Sequence, residues 1–327
     1  MFRILPAAAV LLVLCAGPVL GRTWYVHPDS ALSSIQAGLD SCAAVDTVLV
    51  GPGTYPGGYT WPQVAGISVI GARGPDSTVI DGEHYRSGFY LFFVPGQSSI
   101  SGFTIHNCYT DPVGAGVAAT ECTLDITDCL IAGNAARGGG GIACEYGRYA
   151  VRRCRVSGNE TLLYPPGGID FGNGANALVE SCTVTDNWGG GIGFTYGDST
   201  IIRYCNISGN HGAGVGYGGA SGWIANARYN WWGDASGPYH PTLNPLGRGD
   251  TVGDYVDFEP WLTGPVGVEE TTNGELRMTN ASPTVLSGIG LVEAYDITGR
   301  RATEPKTGVY FMRASATSSV RKVILVR

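Results

Sequence analysis

Charge is scarce in this chain. Charged residues make up 14% of its 327 positions, against about a quarter in ordinary soluble domains. Lysine occurs only at Lys306 and Lys322, both near the C-terminus, and the net charge is −7. That balance excludes a basic surface for nucleic acid. Beyond residue 21 no apolar run is long enough to cross a bilayer. There is no Asp-Asp pair, and the five histidines are scattered without metal-ligand spacing. Glycine, in contrast, is abundant at 51 residues, roughly twice the usual share. Such a mix fits many short strands joined by tight turns and argues against helical bundles.

Residues 1–21 read as a secretory signal peptide. Arg3 provides a positive start, "ILPAAAVLLVLC" is an apolar run of twelve, and "VLG" places a small residue before Arg22. The chain is thus expected to be secreted or held at the outer cell surface. Eight cysteines remain after cleavage, at 42, 108, 122, 129, 144, 154, 182 and 205. An even count in an exported protein ordinarily suggests disulfides.

An internal repeat points elsewhere. Cys129, Cys154, Cys182 and Cys205 stand 25, 28 and 23 residues apart. Each is preceded three positions earlier by Ile126, Val151, Val179 or Ile202, and followed two positions later by Ile131, Val156, Val184 or Ile207. Asn134, Asn159, Asn187 and Asn210 come five positions after the cysteines. A second aliphatic column runs through Val117, Ile142, Ile169, Ile192 and Val215. Fixed periods of this length mean a solenoid. Apolar residues at i and i+2 share one face of a strand, and the three-residue step implies a corner. Stacked coils put each residue above its counterpart, so the cysteines form a buried thiol ladder, and the asparagine amides bond from coil to coil. The glycines supply the turn dihedrals. Cys108 and Cys122 are the pair better suited to a true bridge.

With these columns the chain resembles the right-handed parallel β-helix proteins of the pectate-lyase-like superfamily, over roughly residues 23–262. "SIQAGLDSCAAVDTVLVGPGTY" (34–55) is similar to the family's entry helix and first strand, and "GISVIGARGPDSTVIDG" and "ISGFTIHN" resemble its first coils. The resemblance implies an all-β, right-handed solenoid over residues 22–262. Residues 31–42, with Leu32, Ile35, Leu39 and Cys42 on one side, would seal its first coil. The aromatic segment 229–262 would close the other end. There Trp231 and Trp232 read either as a core cap or as a sugar-stacking surface. A linker, 263–274, leads to a small C-terminal β-sandwich, 275–327. Its "YDITGR", "GVYFMR" and "KVILVR" resemble the sorting domain of the type IX secretion system, which implies the secretion machinery as a partner.

Each reaction of the superfamily has its own residue requirements. A lyase would take Ca²⁺ on carboxylates and a base; no lysine lies in the solenoid, which leaves Arg152, Arg153, Arg155 and Arg203. Arg152, Glu180 and Arg203 share one column, so a charge ladder explains them as well. A polygalacturonase-like hydrolase finds only the fragment "NHG" at 210–212. "GGIDFGNGANALVESC" (167–182) resembles the strand of pectin methylesterases that carries their nucleophile, which would be Asp170. That family's second aspartate and its arginine have no counterpart here. Glu145 lies one coil away and two residues along, roughly 8 Å by backbone spacing, so the two carboxylates suit an inverting glycosidase. Tyr146 and Tyr196 share a column near a turn and, with Arg155, are the candidate sugar contacts. The expected partner is an extracellular polysaccharide, and a hydrolase or esterase needs no cofactor. Two classes stand open: a pectin-type carbohydrate-active enzyme and a non-catalytic, adhesin-like surface protein.

Overall fold

The computed structural model describes residues 20–195, 199–218 and 224–270, with four further strands in the tail. Most of the apolar run read as a signal peptide, residues 1–19, lies outside the described residues. From Thr23 onward the chain winds into a parallel β-helix. A 17-stranded sheet and a 7-stranded sheet form its long faces, and a short 3-stranded sheet fills the third side. Pairing between successive coils is parallel and in register, as in Ile126↔Val151, Val151↔Val179 and Val179↔Ile202. The second aliphatic column, Val117 to Val215, is likewise continuous. Residues in both columns are at most 1% exposed, and each buried aliphatic side chain contributes about 1.5–3 kcal/mol.

The thiol ladder forms as expected. All eight cysteines of the described chain are free, Cys108 and Cys122 included. That pair does not bond because the residues occupy different corners: each thiol donates to a carbonyl of its own turn, His106 and Thr120 respectively. Burial drives the Cys144, Cys154 and Cys182 thiols well above their ordinary range. Half-buried Cys42 is pushed up to about 11, chiefly by burial and then by the charge of Asp46. At pH 8 a thiol reagent should therefore leave the folded chain almost unmodified over minutes. In denaturant every cysteine should react. Rapid labelling of any cysteine other than Cys42 in the native state would contradict the ladder.

Asparagines brace the turn as expected. Asn134, Asn159 and Asn187 each donate an amide N–H to the Oδ1 of the next asparagine, at 2.9, 3.0 and 2.9 Å. At the far end Asp250 takes the place of another asparagine, accepting from Gly209 N, Asn210 N and Asn210 Nδ2. Gly133, Gly158 and Gly209, one residue ahead of their asparagines, adopt positive φ. The other corner departs from the expectation that glycine supplies unusual dihedrals. Asp128, Arg153, Ser181 and Tyr204, just before the cysteines, are left-handed at φ 52–56° without being glycine. Coil-to-coil backbone bonds such as Arg153 N to Glu180 O and Ser181 N to Arg203 O hold them there, offsetting about 1–3 kcal/mol of strain per residue.

The N-terminal end is closed by the helix Ile35–Asp40, capped by Ser34, which buries Ile35 and Leu39. Gly38 is required, because a Cβ there would lie 2.8 Å from Val48 and 3.0 Å from Val26. In the tail, Gly267–Glu270, Leu276–Thr279, Val320–Val326, Gly308–Ala314 and Leu291–Asp296 make a five-stranded sheet in that order. Its first strand begins inside the segment read as linker.

Candidate functional site

The longest interruption of the repeat builds a cleft beside a titratable group. Residues 158–168 leave the third face through the strand Glu160–Tyr164 and return through Pro165 and Pro166. The return is tight: a Cβ at Gly167 would lie 2.1 Å from Trp188 O, and one at Gly168 2.2 Å from Gly191 O. Tyr164, Pro165 and Pro166 form one wall of a cleft of about 590 Å³, opposite Gly212 and Ala213, with Asp170, Ile192, Gly193 and Thr195 also lining it. Glycine at 193 matters, since a Cβ there would come within 2.5 Å of the Pro166 ring.

Asp170 sits on the strand Ile169–Glu180, paired with Ala143 on one side and Gly193 on the other. Its neighbours in the column have little or no side chain, so the carboxyl stands alone, half-buried. Burial, assisted by the charge of Glu145, pushes it up to about 7. Glu145 is in register with Gly172, which places it one coil away and two residues along from Asp170. It is oriented by Asn173, whose Nδ2 donates to Oε1 at 3.0 Å. The register shifts between Glu145 and Gly147, and that irregularity turns Asn173 toward the acid. Asn173 is itself left-handed at φ 42° and donates its backbone N–H to Thr195 Oγ1 at 2.8 Å. Glu145→Gln should therefore let Asp170 titrate at lower pH, yet still above its ordinary range because burial is the larger cause. Carboxyl NMR would check this; an unchanged titration would mean the two groups do not interact.

The remaining sequence candidates do not all converge. Tyr146 follows Glu145 on the same strand and is 51% exposed. Tyr196 lies outside the described residues. Arg155 is exposed on the 7-stranded sheet, a different face from Asp170. Trp231 is half-buried and bridges to Asn206, at the end of that other face. Trp232 is fully buried, so it packs the core and offers no surface to a sugar. Of the arginines considered as lyase bases, Arg152 and Arg203 both pair with Glu180, and Arg153 makes a two-point pair with Asp128. Among the described residues no group of three or more His, Cys, Asp or Glu could hold a metal ion.

Four residues of the site were not singled out by sequence: Tyr164, Pro166, Asn173 and Thr195. The turn signal Asn173-Gly174 and the Pro165-Pro166 pair mark irregularities, but neither shows which side chain they aim. A second feature lies on the same sheet. In "FYLFF" the alternation buries Phe89 and Leu91 and leaves Tyr90, Phe92 and Phe93 44–46% exposed. Tyr90 is in register with Ala118, and Phe92 with Thr120, on the sheet that carries the acids.

Residues 90–231 match the family model for a right handed beta helix region. The solenoid is a right-handed β-helix. Among solved structures it is similar to the pectate lyase Pel9A, at 11% identity and a TM-score of 0.41, covering 89% of this chain and 92% of that one. It is also similar to the pectin methylesterase PemA from Erwinia chrysanthemi, at 12% identity and 0.37, covering 80% and 85%. A pectin methylesterase in complex with a hexasaccharide matches at 12% and 0.36, covering 79% and 85%. At such identities the likeness concerns the fold alone. No curated protein matches this chain in sequence.

Proposed function

We propose that this chain is exported and hydrolyses an extracellular polysaccharide in the cleft over Asp170. The observation that carries the reading is a half-buried carboxyl, Asp170, that lines a cleft, with the Asn173-oriented Glu145 one coil away; burial, then the charge of Glu145, pushes Asp170 up to about 7. A protonated carboxyl at neutral pH serves as general acid toward a leaving oxygen, and the second carboxylate activates water. Pectin heads the panel of glycans to test because residues 167–182 resemble the methylesterase strand. The exposed Tyr90, Phe92 and Phe93 support a second reading, binding without turnover, since aromatic faces on a flat sheet suit sugar rings. Delivery through the type IX machinery rests on the tail's three matching segments and belongs to the same proposal.

The test is a screen of the mature chain against acidic and neutral polysaccharides, methylated and unmethylated pectins included. It follows reducing ends, unsaturated products and released methanol, with Asp170→Ala alongside. New reducing ends that vanish in the mutant are the expected result. Unsaturated products or methanol instead would replace hydrolysis with lyase or esterase chemistry. Binding without any product, unchanged in the mutant, would leave only the surface-binding reading.

A further inference from the structure

Asp46 lies at the opposite end of the molecule from the cleft and takes no part in the proposed chemistry. It is only 4% exposed, and its carboxylate accepts three N–H bonds. These come from Arg22 N at 2.6 Å, Trp24 Nε1 at 3.0 Å and Ala43 N at 2.9 Å. The bonds from Ala43, Trp24 and Arg22 hold the acid below its usual range. All three donors are neutral; the Arg22 guanidinium itself lies over the Trp24 ring, 5.0 Å from its centre. The Arg22 guanidinium adds a smaller favourable charge, and a cation donating directly to the carboxylate would strengthen the site further. One donor, the backbone nitrogen of Arg22, is the atom that would become an ammonium if the chain were cut before it. Gly21 adds a second constraint. A Cβ there would lie 1.9 Å from Val45 O, so the residue just before Arg22 has to be the smallest one, the same preference a leader-cleavage site shows.

We infer that Asp46 is a built-in receptor for the α-ammonium group that proteolytic maturation creates at Arg22. Cleavage of the Gly21–Arg22 peptide by water leaves a carboxylate on the leader and an ammonium on Arg22. The neutral N–H bond to Asp46 then becomes a charge-assisted ion pair within the same geometry. Arg22 O also accepts from Thr47 N, and Thr23–Val26 pairs with Thr47–Val50. The ion pair would thus pin the outermost strand at the end of the solenoid, where strands otherwise fray. The inference shares the leader reading with the proposed export but is independent of the glycan chemistry.

The experiment compares three forms of the full chain: one starting at Arg22, the same chain with Arg22 α-N-acetylated, and one retaining Leu20 and Gly21. Acetylation keeps an N–H for Asp46 but removes the charge. The free Arg22 form should melt about 3 °C above both others, and Asp46→Asn should erase that difference. Should Asp46→Asn not fold, the acetylated chain alone carries the comparison. Equal melting of the free and acetylated forms would overturn the inference even if mass spectrometry places the mature terminus at Arg22. A mature terminus elsewhere would instead overturn the assignment of the cut.

Discussion

Asn159→Ala is expected to lower the melting temperature by about 10 °C. Asn159 is fully buried and works at both ends of its amide. Its Oδ1 accepts from Asn134 N and Asn134 Nδ2, and its Nδ2 donates to Ile131 O and Asn187 Oδ1. Alanine would strand two donors of Asn134, its backbone N–H and one amide N–H, in a water-free corner, whereas Ile131 O keeps its place in the parallel ladder. Asn187 Oδ1 would keep its bond from Asn159 N. Two orphaned groups at about 1–3 kcal/mol each give roughly 4 kcal/mol, and in a domain of this size each kcal/mol moves the midpoint by about 2–4 °C. Asn159→Asp should also destabilise, because it keeps the acceptor and loses the donor. Thermal melts of both variants check the ladder. A shift below about 2 °C for alanine would mean that water replaces the amide.

Asp170→Asn should abolish turnover and, at the same time, make the fold more stable in alkali. Loss of a general acid lowers the rate by about 10²–10⁴-fold. In the proposed hydrolysis the rate of the native chain should fall as pH rises through about 7, where burial pushes the carboxyl. The stability effect has the opposite sense. The folded-state value lies above the unfolded value of about 3.9, so between these limits the folded chain binds the proton more tightly. Stability attributable to Asp170 therefore decreases as pH rises from about 4 to about 7, and the loss is complete above that window. For a half-buried group, screening brings this to about 2 kcal/mol. Melting curves at pH 4 and pH 8.5 should show the variant equal to the native chain at low pH and several degrees higher at high pH. Equal curves at both pH values would return Asp170 to the class of ordinary surface carboxylates.

Much of this architecture was legible in the residues themselves. Stacking places like over like, so the columns of Cys129, Ile131 and Asn134 and their repeats specify coil length, core and corner directly. The same logic exposed the Arg152–Glu180–Arg203 ladder and the diagonal placement of Glu145 and Asp170. Capping by Ile35 and Leu39 followed from helical spacing. What the repeat could not convey is anything that breaks it. The left-handed corner at Arg153 and Ser181 is set by backbone bonds between coils rather than by a glycine. The burial of Trp232 depends on how the last turn folds over the core. The cleft exists because residues 158–168 fold back over Gly193, and the acid shift at Asp170 exists because that loop removes water from it. A one-dimensional pattern fixes neighbours along and between strands, whereas desolvation, and with it chemistry, arises only where a loop closes over them.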